Sequence, residues 1–404
     1  MRRAGHGALI MPLVFRVILL SVLSHTAFKG SKVLLSLSAL ELGANEFVVG
    51  LLFATNAMLP LLLSVYAGQI SDRIGFRKPM LFGMAGLFLG LSVPLFWQRL
   101  EMLFVASALM SACYIFYTVS VQHLIGALAE GQERTRNYSW FSLGIALTAL
   151  LGPTTAGFLI DAIGHRYTFG ALALLPVIPM LLLAFWRGWL PPTSHVPRGS
   201  AKSERRTFDL LRNKPLRRAL IVAGIIETAL ELYNLLLPIY GHRVGLSASQ
   251  IGLILGAFGC ALLIVRVLMP HLVKRFSEER VLCVSLLLAV GVCVVFPFLK
   301  SFAALAVVSF VLGLGLGCGS PLSMLLAFNR APEGRTGEAM GLRQMANKGT
   351  EVLVPFVFGT LSAAFGMVPV FWLDAALLGI AAHLLRDDIR RKTPTTEKIF
   401  NKNN

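Results

Sequence analysis

Glu227 and Glu231 stand four residues apart inside a long apolar run, with Asn234 just beyond them. On a helix that spacing puts both carboxylates on one face, about 5–6 Å apart, and Asn234 within the following turn. Two carboxylates this close share protons as one coupled site, so the chemistry open to them is proton uptake and release. Half the chain length separates Glu227 from His25 and Glu231 from Lys29, which places a basic pair at the positions equivalent to the acidic pair. Lys348 and Glu351, three apart in another apolar run, have the spacing to pair with each other. A charge inside a bilayer costs roughly 2.5–3.5 kcal/mol on insertion scales, and residues kept at that cost usually mark a pathway.

The elements that must position these groups are long apolar segments joined by short charged turns. The most informative turn runs from Gly68 to Met80 and contains Gly68, Asp72, Arg73, Gly75, Arg77 and Lys78. Two glycines permit a tight reversal, and the basic residues hold the turn on one side of a membrane. A second copy, Pro270 to Arg280, lies 202 residues later, with Arg275 in the place of Arg73 and Lys274 in the place of Asp72. The same offset pairs Gly43 with Gly245, Gly50 with Gly252, Pro153 with Pro355, Gly157 with Gly359 and Gly164 with Gly366, so the 404-residue chain reads as a duplicated unit.

Composition sets the solvent. The chain is 56% hydrophobic and 14% charged with a mean hydropathy of +0.72, whereas soluble domains carry about 25% charged residues. Apolar runs of about 20 residues recur along its length, the length that spans a bilayer as helix. The expected fold is all-α and integral to the membrane, with twelve transmembrane helices in two pseudo-symmetric six-helix bundles. The expected divisions are a first bundle over 1–188, a cytoplasmic linker over 189–216, a second bundle over 217–385 and a basic tail over 386–404.

The net charge of +17 raises nucleic-acid binding, but most of the basic residues fall in turns on one side of the spans. That is the bias of cytoplasmic loops, and it puts both termini in the cytoplasm. The five cysteines all lie in apolar runs and have neither disulfide nor metal-ligand spacing. The opening Met1-Arg2-Arg3 and apolar stretch read as an uncleaved first span, because Arg16 interrupts the core and no small-residue cleavage site follows. Gly313, Gly315, Gly317 and Gly319 alternate inside an apolar run without a preceding strand, so they are packing positions rather than a dinucleotide fingerprint. No Walker phosphate loop occurs, and no nucleophile and base can be placed on one aqueous face, which argues against an enzyme and against ATP as energy source. Asp374 falls near the outer end of the last span, where interfacial water is its expected partner.

Over its full length the chain resembles the major facilitator superfamily of transporters. Gly68, Asp72, Arg73, Gly75, Arg77 and Lys78 match the family's Gly-x-x-x-Asp-Arg-x-Gly-x-Arg-Lys signature after helix 2. Gly152, Pro153 and Gly157 in helix 5 resemble the Gly-Pro-x-x-Gly-Gly signature of its drug and metabolite antiporters, with Ala156 standing where that signature has a glycine. The resemblance implies a monomer in a bacterial inner membrane whose two halves rock about a central substrate site. It also implies that Asp72 meets the start of helix 11, where Arg343 is the nearest candidate partner by sequence. Asp72 then either gates the cytoplasmic side or only shapes its turn. Helix 5 carries either an antiport element or an ordinary packing kink.

Helices 1 and 7 line the cavity in the family, so His25 and Lys29 are expected to face Glu227 and Glu231, either as a charge cluster that changes with proton load or as a permanent salt bridge. Helix 4 lacks the arginine of many proton-coupled relatives and reads Val105-Ala106-Ser107-Ala108-Leu109-Met110 instead. The leading expectation is proton-coupled export of a small organic molecule, with the proton gradient in place of any cofactor. Uptake of a small polar or anionic nutrient is the alternative, and a non-transporting receptor the third reading.

Overall fold

A computed structural model describes residues 4–128, 131–185, 207–332 and 336–400. Among the described residues there is no strand, and helix accounts for nearly all of the chain. The helices are α1 (Ala4–Glu41), α2 (Glu46–Ile74), α3 (Arg77–Phe96) and α4 (Leu100–Ala127). A continuous run, Gly131–Phe185, is broken by the non-helical backbone of Gly164 into α5 (131–163) and α6 (165–185). There follow α7 (Lys214–Arg243), α8 (Ala248–Phe276), α9 (Glu278–Val295), α10 (Phe302–Arg330, with a break at Cys318), α11 (Thr336–Phe365) and α12 (Met367–Phe400).

Ten stretches among the described residues are long and apolar enough to cross a membrane, and one of these holds both α5 and α6. Helix α11 falls short on composition because Arg343, Lys348 and Glu351 interrupt it. With it the described helices number twelve, as expected from the apolar runs. Most of the expected linker, 189–206, lies outside the described residues. Helix α12 continues unbroken to Phe400, into the expected basic tail.

The duplication is written in the backbone. Positive φ occurs at Gly43 (82°) and Gly245 (78°), at Gly75 (81°) and Ser277 (67°), and at Gly164 (76°) and Gly366 (80°). Each pair is separated by 202 residues, half the chain. The left-handed region is open to glycine and strained for other residues. Ser277 is the one non-glycine residue among those described that adopts it, and it does so because it stands where the first half has Gly75.

Two compact units are formed, Met1–Ser200 with Leu237–Gly259, and Ala201–Leu236 with Cys260–Asn404. In the first, α1 packs along the α5–α6 run and α3 packs along α4. The second packing is close because Gly83, Gly86 and Gly90 lie against Tyr117, Cys113 and Met110, where a Cβ would come within 2.0–2.7 Å of a neighbour. In the second unit α12 packs on α9, and α9 packs on α10. There the backbone at Gly315 approaches the Ser285 carbonyl, and Gly319 sits under Ile226. Small residues at such crossings are how membrane helices pack where burial of apolar surface gives no advantage over lipid. Outward positions accordingly remain apolar, for instance Leu62, Val284 and Phe365.

Candidate functional site

In the second unit the ionisable side chains of α7 and α11 come together. Glu227 Oε2 accepts from Asn347 Nδ2 at 3.4 Å. Lys348 and Glu351, one residue and one turn further along α11, form an ion pair with each other. Lys348 and Glu351 thus pair as their spacing predicted. Asn347 is 7% exposed and was not singled out in the sequence. The available signal was a third polar residue beside Lys348 on a span. Asn234 Nδ2 donates to the Leu230 carbonyl of its own helix at 2.9 Å, which ties its amide nitrogen to the helix backbone. The Arg343 guanidinium is 6% exposed and donates to the Ser320 carbonyl (3.0 Å), Ser320 Oγ (3.2 Å) and Ser323 Oγ (3.3 Å). Those three bonds hold α11 to α10. The side chain of Asp72, its expected counterpart, lies outside the described residues.

The equivalent positions of the first unit have different surroundings. His25 is 8% exposed, and its Nδ1 lies 3.0 Å from the Ser21 carbonyl. A carbonyl can only accept, so Nδ1 carries the hydrogen and Nε2 of the neutral ring is an acceptor. The His25 ring stands edge-on to Tyr114 at 5.3 Å, and Tyr114 stacks on Phe28 at 4.7 Å and on Tyr117 at 5.2 Å. The Tyr117 hydroxyl donates to Ser21 Oγ at 3.2 Å. Lys29 follows one turn later, its Cβ against Gly152 of α5. His25 and Lys29 belong to the first unit, Glu227 and Glu231 to the second.

The Gly152, Pro153 and Gly157 stretch docks two helices with two faces. On one face a Cβ at Gly152 would sit 2.8 Å from Lys29 Cβ and 2.9 Å from the Gly30 nitrogen on α1. On the other, a Cβ at Gly157 would sit 2.3 Å from the Ala248 carbonyl oxygen, and one at Gly252 of α8 would sit 2.5 Å from the Pro153 carbonyl oxygen. Gly256 and Gly259 extend the contact along Thr154, Ala149 and Leu150. Asp161, at the end of α5, completes it: its carboxylate accepts from the backbone nitrogens of Ala248 (3.1 Å) and Ser249 (2.8 Å). Those N–H groups are unsatisfied donors of the first turn of α8, so a side chain from α5 caps α8. Nearby, Arg243 pairs with Glu46, and His165 pairs with Glu41 at 2.5 Å. None of these capping residues was identifiable in the sequence, because a cap supplied by a distant helix leaves no local spacing.

At the other end of the first unit lies the charged turn. Gly75 closes α2 in a conformation suited to glycine, its nitrogen donating to the Ser71 carbonyl. Arg77 donates from Nε to the Leu183 carbonyl (2.8 Å) and from Nη2 to the Ala184 carbonyl (2.7 Å), so it fastens the turn to α6. Arg73 and Lys78 are exposed, and Gly68 has room around it, with Val119 3.9 Å from the position a Cβ would take.

Asp374 corrects an expectation. It does not reach interfacial water: it is 3% exposed in α12, and its Oδ2 accepts from the Cys293 thiol of α9 at 3.6 Å.

These arrangements bury ionisable side chains where α7 meets α11 and lock α5 to α8 through close packing and a carboxylate cap. Known proteins share the fold and about a quarter of the sequence or less. The Quinolone resistance protein NorA of Staphylococcus aureus (strain MSSA476) is 22% identical over 360 residues, 87% of this chain and 90% of the relative. The Multidrug resistance protein MdtG of Dickeya zeae (strain Ech586) is 26% identical over 355 residues, 85% of each chain. Among solved structures, the nucleoside transporter NupG superposes with a TM-score of 0.76 at 12% identity over 93% of this chain and 99% of its own. A peptide transporter POT does so at 0.78 and 16% identity, over 93% and 94%. The sequence profile of the Major Facilitator Superfamily matches residues 17–347 and again 219–402, and the chain, a multi-pass membrane transporter and no enzyme, belongs to that family.

Proposed function

We propose that this transporter exports small organic molecules from the cytoplasm in exchange for protons. The observation that carries the reading is the polar cluster held inside the spans of the second unit. Glu227 receives one neutral hydrogen bond from Asn347, while the nearby Lys348 is paired with Glu351. A carboxyl group in such a place exchanges charge by taking or losing a proton, since no cation is committed to Glu227 among its described hydrogen bonds and ion pairs. Glu231, on the same face of α7, is its coupled neighbour. The drug-resistance names of the two relatives support export, and the helix 5 signature, which departs from the antiporter pattern at Ala156, supports exchange.

In this reading both termini face the cytoplasm, the energy source is the proton gradient with no cofactor, the working unit is a monomer, and the membrane is the bacterial inner membrane. His25 and Lys29 serve the same pathway from the first unit. The Asp161 cap and the Gly157–Gly252 contact close the end away from the Asp72 turn and release when that end opens. Gly68, Asp72, Arg73, Gly75, Arg77, Lys78 and Arg343 act on the opposite closure.

The test is proton movement in everted membrane vesicles with a pH-sensitive dye and a panel of cationic, anionic and neutral compounds. Wild type should dissipate the gradient with some compounds, and Glu227→Gln should not. If Glu227→Gln moves protons as wild type does, Glu227 is not the coupling group. If no compound moves protons and labelled sugars or organic acids accumulate instead, the chain is an uptake transporter.

A further inference from the structure

Asp374 is a second carboxyl group inside a span that has no ion pair among the described residues. It lies near the start of α12, within the apolar stretch Met367–Ile389, and is 3% exposed. Its one described partner is the Cys293 thiol, which donates to Oδ2 at 3.6 Å, while Oδ1 has no hydrogen-bond partner.

The elements packed against α12 supply nothing that would hold an anion there. Helix α9 offers Cys293, and its other thiol, Cys283, donates to the Ala382 carbonyl. Its charged residues Glu278, Glu279 and Arg280 lie at its far end. The short turn Phe296–Phe298 carries no ionisable residue. Helix α11 carries none between Val352 and Phe365, and α12 itself has none from Met367 to Ala382 other than Asp374. Tyr233 of α7 is two rings away, edge-on to Phe296, which stacks on Phe371 one turn before Asp374.

A carboxylate in that setting would have one weak thiol donor and no countercharge, whereas a neutral carboxylic acid needs no countercharge and loses far less on burial. The Oδ1 atom has no hydrogen-bond donor beside it, so nothing there stabilises a negative charge on it. We propose that Asp374 is a second proton-binding site, separate from the Glu227 cluster and loaded in the state seen here. Release of its proton requires α12 and α9 to part, because the ionised group must reach water or a cation. Its use in transport rests on the proton-driven reading above; its titration does not.

Infrared difference spectroscopy on the full-length protein in phosphatidylethanolamine and phosphatidylglycerol liposomes tests this directly. A protonated-carboxyl C=O band should fall as pH is raised. It should be missing in Asp374→Asn and present in Glu227→Gln. Cys293→Ala keeps the carboxyl and removes the thiol donor, so the band should persist at a shifted frequency. A band unchanged at every pH would make Asp374 a permanently neutral packing residue and overturn the proposal, as would a spectrum of Asp374→Asn identical to wild type or an unshifted band in Cys293→Ala. Should the band titrate while vesicles show no compound-driven proton movement, the site stands and the exporter reading falls.

Discussion

Position 77 and position 279 are equivalents under the half-chain offset, and each fastens its turn to the last helix of its own half by different means. Arg77 gives two N–H groups to the Leu183 and Ala184 carbonyls of α6. Its counterpart Glu279 meets Arg330 at 3.7 Å, and Arg330 in turn meets Asp388 of α12 at 2.8 Å, with Arg218 on the same carboxylate at 2.6 Å. The difference lies in what each last helix offers. Helix α6 offers the backbone carbonyls of Leu183 and Ala184. Helix α12 offers the Asp388 carboxylate, so there the fastening is ionic. A duplicated backbone thus retained one mechanical task and changed the chemistry that performs it.

That contrast can be broken at the ionic tie first. Arg330→Ala would take one cation from the buried Glu279 and one of the two arginines from Asp388, and breaking such a pair costs about 3 kcal/mol. It should lower the thermal unfolding midpoint in detergent more than any other change at either turn. Arg77→Ala removes two charge-assisted bonds to carbonyls and should cost about 2 kcal/mol in the same assay, with Arg77→Lys recovering only part because a lysine cannot fork across two acceptors. The smallest effects concern the equivalent backbone positions. Gly75→Ala should destabilise by about 1 kcal/mol, and Ser277→Gly should stabilise by about the same amount, since both residues hold a positive φ. Equal shifts of the same sign would show that the two turns are not conformational equivalents.

The contact between α5 and α8 teaches the complementary lesson. Gly152, Pro153 and Gly157 were conspicuous as a motif, but their partners Ala248 and Gly252 were not, nor was the Asp161 cap. Pro and Gly in a span announce that something approaches closely; which helix does so depends on how the chain returns. His25 and Glu227 show the same limit. Their equivalence was visible as an offset, yet the histidine is enclosed by Tyr114 and Tyr117, and the glutamate receives Asn347. No spacing rule joins Glu227 to a residue 120 positions away. Asp374 was misjudged for a related reason: depth along a helix predicts access to water only when the flanking face is known, and α9 covers that face.

The sequence by itself determined the solvent, the number of spans, the duplication and the family, because apolar run length, turn chemistry and a repeat offset are local or periodic properties of the chain. It also determined the pairing of Lys348 with Glu351, which one helical turn sets. Only the tertiary structure decided that Arg77 reaches the backbone of α6, that Asp161 caps α8 and that Asp374 is sealed against a thiol. Each of these depends on which helix faces which, and between membrane helices that is set by shape and a few polar contacts across long sequence separations.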